Sequence, residues 1–104
     1  MYATCTDALQ AVEAARRLGF PHTTKCTLNL LELAQLVGQG IYPIVLVNLL
    51  PIDGIRETHA LVVVSLNQIS VEVLDPARGV RTFPLDVFST AWRMRHYLTI
   101  IVEQ

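Results

Sequence analysis

Two residues of this 104-residue chain have the types and the spacing for acid–base chemistry. His59 opens the segment His59 to Leu66 (HALVVVSL), and Asp75 follows directly on Ile69 to Leu74 (ISVEVL), 16 positions after the histidine. If these segments pair as strands around Asn67-Gln68, residues 59 and 75 lie almost opposite each other at one open edge. A carboxylate beside an imidazole fixes its tautomer and stabilises its protonated form, which is what a general base serving a nucleophile needs. The structural alternative is that Asp75 caps the turn before Pro76 while His59 is an incidental strand-end residue. The candidate nucleophile is Cys5, at the start of the first expected helix, where the helix dipole favours a thiolate. Its alternative is an ordinary thiol near a chain end. Cys26, just before Thr27, reads as a small packing residue.

Two cysteines without a CxxC pair are too few for a disulfide framework, so both are expected as free thiols and no structural metal site is expected. His22 and His96 lack a second ligand at metal spacing. No cofactor is expected. Arg16-Arg17 and Arg93-Met94-Arg95-His96 read as solvated basic stretches, and Trp92 as a core anchor.

The elements that must position these residues follow from periodicity and punctuation. Thr6 to Leu18 (TDALQAVEAARRL) predicts a helix, with Leu9, Val12, Ala15 and Leu18 at three-residue steps and Gly19 at its end. Thr27 is the expected cap of a second helix, LNLLELAQLV, whose few polar positions imply burial on more than one side. Between them, Phe20 to Cys26 reads as a loop. Tyr42 to Val47 (YPIVLV) predicts a strand covered on both faces, with Pro43 tolerated near its start. A polar link, Pro51 to Thr58, carries Asp53-Gly54 at its tip. After the hairpin, Arg78-Gly79 turns the chain into a short strand, Val80 to Phe83. A short helix, Leu85 to Trp92, is led by Pro84, and Tyr97 to Glu103 closes as a strand. The expected order is α-α-β-β-β-β-α-β, an α+β domain spanning residues 1–104.

Composition bounds the function classes. Eight Lys+Arg against nine Asp+Glu argue against a nucleic-acid partner, and 52% hydrophobic residues exclude disorder. The apolar runs Ile44 to Val47 and Leu61 to Val64 are far shorter than the roughly 20 residues of a spanning helix. Met1 to Leu9 has no basic-then-apolar leader. The expectation is a soluble, cytoplasmic protein.

Five motifs, in order, carry a resemblance. They are Ala14 to Phe20 (AARRLGF), Leu30 to Leu33 (LLEL), Gly40 to Val47 (GIYPIVLV), His59 to Val64 (HALVVV) and Asp75 to Gly79 (DPARG), followed by Phe83 to Trp92 (FPLDVFSTAW). The stretch from Ala14 to Val102 resembles the C-terminal two thirds of the papain-like cysteine peptidases of the bacteriocin-processing, double-glycine leader type. The resemblance implies a papain-like fold of two N-terminal helices followed by an antiparallel sheet with one short C-terminal helix. It also implies that His59 matches the catalytic histidine and Asp75 the residue that orients it.

The family's glutamine oxyanion donor and its cysteine-bearing helix have no counterpart here, because the chain opens almost at the leucine-glycine helix. An imidazole and a carboxylate without a thiolate form no acyl-enzyme. The expectation is therefore an incomplete, degenerate peptidase-like domain that binds a peptide or protein, self-associates, or meets a completing chain. The alternatives are an active cysteine peptidase, using a cysteine of another chain or Cys5, which precedes Gly19 by about the family's cysteine-to-glycine spacing, and a papain-fold toxin.

Overall fold

The computed structural model of the chain describes residues 3–4 and 22–103. Among the described residues, seven strands form one sheet in the order β1-β2-β7-β3-β4-β5-β6. They are β1 (Ala3–Thr4), β2 (His22–Thr27), β3 (Ile44–Asn48), β4 (Thr58–Leu66), β5 (Ser70–Asp75), β6 (Gly79–Pro84) and β7 (Leu98–Glu103). All neighbouring pairs are antiparallel except β1 with β2. Among the described residues, three helices lie between strands: α1 (Leu30–Gly38), α2 (Leu50–Asp53) and α3 (Leu85–Arg93).

This architecture corrects the papain-like plan of two N-terminal helices followed by a sheet. The segment before α1 is not a loop joining two helices but strand β2, which pairs with β7 in six consecutive positions from His22↔Glu103 to Thr27↔Leu98. Its sequence, HTTKCT, lacks the alternation of large apolar residues that marks a half-buried strand, so its conformation is set by the β7 backbone beside it. The helix expected over residues 6–18 lies outside the described residues.

The second expected helix is present as α1, but its cap is Asn29 and Thr27 belongs to β2. The Asn29 carboxamide oxygen accepts from the Glu32 amide at 2.8 Å, while the Glu32 carboxylate accepts from the Asn29 amide at 3.1 Å. This reciprocal capping box satisfies two amide donors at the helix start. The link after β3 contains one helical turn rather than turns alone. Asn48 accepts from the Leu50 amide at 2.9 Å, Pro51 suits the first turn, and Gly54 closes α2 at φ 73°.

Alternation in the central strands builds the core. Val45 and Val47 on β3, Leu61 and Val63 on β4, and Val71 and Val73 on β5 are all buried. Leu33 and Leu36 of α1 and Phe88, Ala91 and Trp92 of α3 complete the same cluster. Each valine, leucine or phenylalanine among them contributes about 1.5–3 kcal/mol when fully removed from water. Trp92 fulfils its expected role as a core anchor: it stacks edge-on against Tyr97, with centroids 5.1 Å apart, and its indole N–H donates to the Leu98 carbonyl at 3.2 Å. The link from α3 to β7 holds two consecutive residues in the left-handed region, His96 at φ 56° and Tyr97 at φ 57°. Among the described residues, no helix is long and apolar enough to cross a membrane.

Candidate functional site

The hairpin β4–β5 brings the predicted pair together. Along β4 the period of two places His59 on the same face as buried Leu61 and Val63, and along β5 it places Asp75 with Val71 and Val73. Val62 is paired with Leu74, so continuing the ladder one step sets Leu61, and not His59, across from Asp75. The histidine is therefore a diagonal neighbour, at a separation its long side chain can cover. His59 Nε2 lies 2.8 Å from Asp75 Oδ1. The carboxylate is 2% exposed, whereas the imidazole, at 25%, keeps one side open to solvent. With Nε2 turned to the acid, Nδ1 is the ring atom free to face a ligand, and it has no partner among the described residues.

Asp75 also performs the structural task that was its alternative reading. Its Oδ1 accepts from the Ala77 amide at 2.8 Å and its carbonyl accepts from the Arg78 amide at 3.1 Å, which builds the Asp-Pro-Ala-Arg turn. Gly79 leaves that turn at φ 80°, a conformation that favours glycine. The two readings are not exclusive, because one carboxylate oxygen serves both the turn and the imidazole.

Two residues that sequence reasoning did not select extend the site. Arg81 on β6 donates from Nη1 to Asp75 Oδ2 at 3.3 Å and to Asp53 Oδ2 at 3.1 Å, and from Nη2 to Asp53 Oδ1 at 2.7 Å. Its guanidinium lies 4.8 Å over the Phe83 ring centroid. Arg78 adds a longer contact to Asp53, at 3.4 Å. Asp53 stands at the end of α2, 28 positions before Arg81, so no local pattern links them. The only available signal was the Asp53-Gly54 pair, which reads as an ordinary turn tip.

The electrostatics follow from these bonds. Burial pushes the Asp75 carboxyl up, but hydrogen bonds from His59, the Ala77 amide and Arg81 outweigh it and hold the group down at about 2. Asp53 is likewise lowered, chiefly by its hydrogen bonds from Arg81 against the opposing effect of burial. Arg81 is raised, mainly through Asp53. The site is thus a chain of alternating charge, Asp75–Arg81–Asp53, with an imidazole at one end.

No cysteine of the described residues approaches this site. Cys26 sits on β2, with β7 and β3 between it and β4, so three strand spacings of about 4.8 Å separate the strands. It is fully buried and disulfide-bonded, which corrects the expectation of a free thiol there. Cys5 lies outside the described residues. His96 lies in the link after α3, and the backbone of His22 is at the start of β2, in neither strand of the β4–β5 hairpin. Among the described residues there is no group of three or more His, Cys, Asp or Glu side chains arranged to hold a metal ion.

No protein-family model matches this chain, and no curated protein matches it. What fold and site define together is a small antiparallel-sheet domain with a carboxylate-oriented histidine at one end of its central hairpin.

Proposed function

We propose that this chain is a degenerate cysteine-peptidase-like domain that binds a peptide or protein without cleaving it on its own. The observation that carries the reading is the His59 Nε2 to Asp75 Oδ1 contact of 2.8 Å, with the opposite ring nitrogen left open and only a disulfide-bonded cysteine among the described residues. The motifs around His59 and Asp75, which resemble those of the double-glycine leader peptidases, add support. The oriented imidazole then serves as a hydrogen-bonding group for a bound chain, and the partner is a peptide, a second copy or a completing polypeptide.

The open Nδ1 also favours a second reading, in which a thiolate from another chain meets His59 and the pair acts as a peptidase. One experiment separates the two. The full chain is titrated into a labelled synthetic peptide ending in a double-glycine sequence, followed by anisotropy, and the mixture is then analysed by mass spectrometry. Saturable binding with an intact peptide is the expected result. Cleavage that disappears in His59→Ala establishes the second reading, and absence of binding overturns the first.

A further inference from the structure

The arginine beside the dyad poses a competition. A guanidinium alone with a carboxylate takes it by two parallel hydrogen bonds, occupying both oxygens. An arginine bound in that way to Asp75 would contest the Oδ1 that His59 uses and would cancel the negative charge the imidazole needs. Arg81 is within reach of Asp75 but does not do this. Its two-pronged contact goes to Asp53, at 2.7 and 3.1 Å, and Asp75 receives only the single 3.3 Å contact on Oδ2.

We propose that Asp53 is a positioning residue for the dyad: by engaging both terminal nitrogens of Arg81, it restricts the guanidinium to Asp75 Oδ2 and leaves Oδ1 and the carboxylate's charge to His59. The inference rests on reading His59–Asp75 as the functional pair. Charge balance supports it, because Asp53 offsets Arg81 and leaves the Asp75 charge to the imidazole, while Arg78, half-exposed and in contact with Asp53 only at 3.4 Å, is the weaker competitor. Among the described residues, the charged groups ion-paired in this cluster are Asp75 from β5, Arg81 from β6, Asp53 from α2 and Arg78 from the β5–β6 turn. On β3, the residue paired with His59 is the uncharged Val47. The lock is itself held in place by the α2 geometry, since the Gly54 amide bonds to the Leu50 carbonyl at 3.1 Å and the Leu49 amide to the Glu57 carbonyl at 2.9 Å.

The test is a double-variant experiment read at the imidazole. In the full chain with 15N-labelled histidine, the proton on His59 Nε2 is followed by its downfield resonance and its two-bond nitrogen correlations. Asp53→Asn is expected to abolish that protected resonance, because Arg81 turns fully onto Asp75. Arg81→Met is expected to retain it, and Asp53→Asn combined with Arg81→Met is expected to restore it, since Asp53 matters only through Arg81. If the double variant loses the signal like Asp53→Asn alone, or if Asp53→Asn leaves it intact, the proposal is overturned. Should Arg81→Met not fold, as judged by the amide spectrum, Arg81→Gln takes its place with the same expected pattern. None of these readings depends on peptide binding, so a failed binding assay and a failed positioning role remain distinct.

Discussion

His59 reaches Asp75 along a diagonal of the β4–β5 ladder, Nε2 to Oδ1 at 2.8 Å, and the same oxygen holds the turn that follows β5. Turn, strand pairing and dyad are therefore coupled through one buried carboxylate. Disturbing it has consequences for stability as well as for the site.

Asp75→Asn is expected to lower the unfolding free energy by about 3 kcal/mol, because Arg81 loses a buried acceptor and the carboxamide cannot satisfy His59, Ala77 and Arg81 together. His59→Ala, removing a quarter-exposed side chain, is expected to cost about 1 kcal/mol. Urea titration followed by tryptophan fluorescence measures both, with Trp92 as the sole reporter.

Acid should destabilise the protein through the same group. Asp75 is held at about 2, below its ordinary 3.8, so its stabilising contribution is complete above the ordinary value and is lost as pH falls toward and through 2. Asp53, also lowered, adds to the same limb. Urea midpoints are expected to fall steeply from about pH 4 downward, and Asp75→Asn is expected to flatten that fall. An equally steep acid limb in the variant would show that other carboxylates govern it.

The α1 cap offers a local test away from the site. Asn29→Ala removes the acceptor for the Glu32 amide and is expected to cost about 1 kcal/mol, with little effect on the His59 resonances. Thr27→Ala, at the position sequence patterning selects as the cap, should not show a capping loss, since Thr27 lies in β2.

Gly54→Ala isolates the backbone at the end of α2. An added Cβ would meet no atom within 4 Å, so the expected loss of about 1 kcal/mol comes from the left-handed φ of 73° alone. Because Asp53 precedes this glycine, the same substitution is expected to weaken the His59 Nε2 signal, detectable in the imidazole spectrum.

Cys26 supplies a chemical check on strand β2. Denatured without reductant, it should resist iodoacetamide, and after reduction it should be carboxamidomethylated, as peptide mapping by mass spectrometry would detect. Modification without reductant would contradict the disulfide.

The hairpin and the elements that follow it were legible in the sequence. The β-branched alternation of HALVVVSL and ISVEVL, the Asn67 turn and the Asp-Pro break define the hairpin because strand propensity, period and turn chemistry are properties of short windows. Trp92 and the apolar face of the last helix were legible for the same reason. Even the dyad could be read, since a hairpin converts sequence spacing into spatial proximity.

The other features depend on contacts between residues far apart in the chain. HTTKCT became a strand because the β7 backbone, far along the chain, offers it hydrogen-bond partners, and that pairing replaced the expected helix–helix opening with strand β2 before α1. The diagonal placement of His59 followed from a register set partly by the bulge between Val63 and Ser65, a shift that a symmetrical turn centre does not reveal. Arg81 and Asp53 were invisible because ion pairs between elements depend on where α2 packs beside the hairpin. Short-range pattern records what a segment prefers, whereas the electrostatics of a site belong to whichever distant charges the fold brings within a few ångströms.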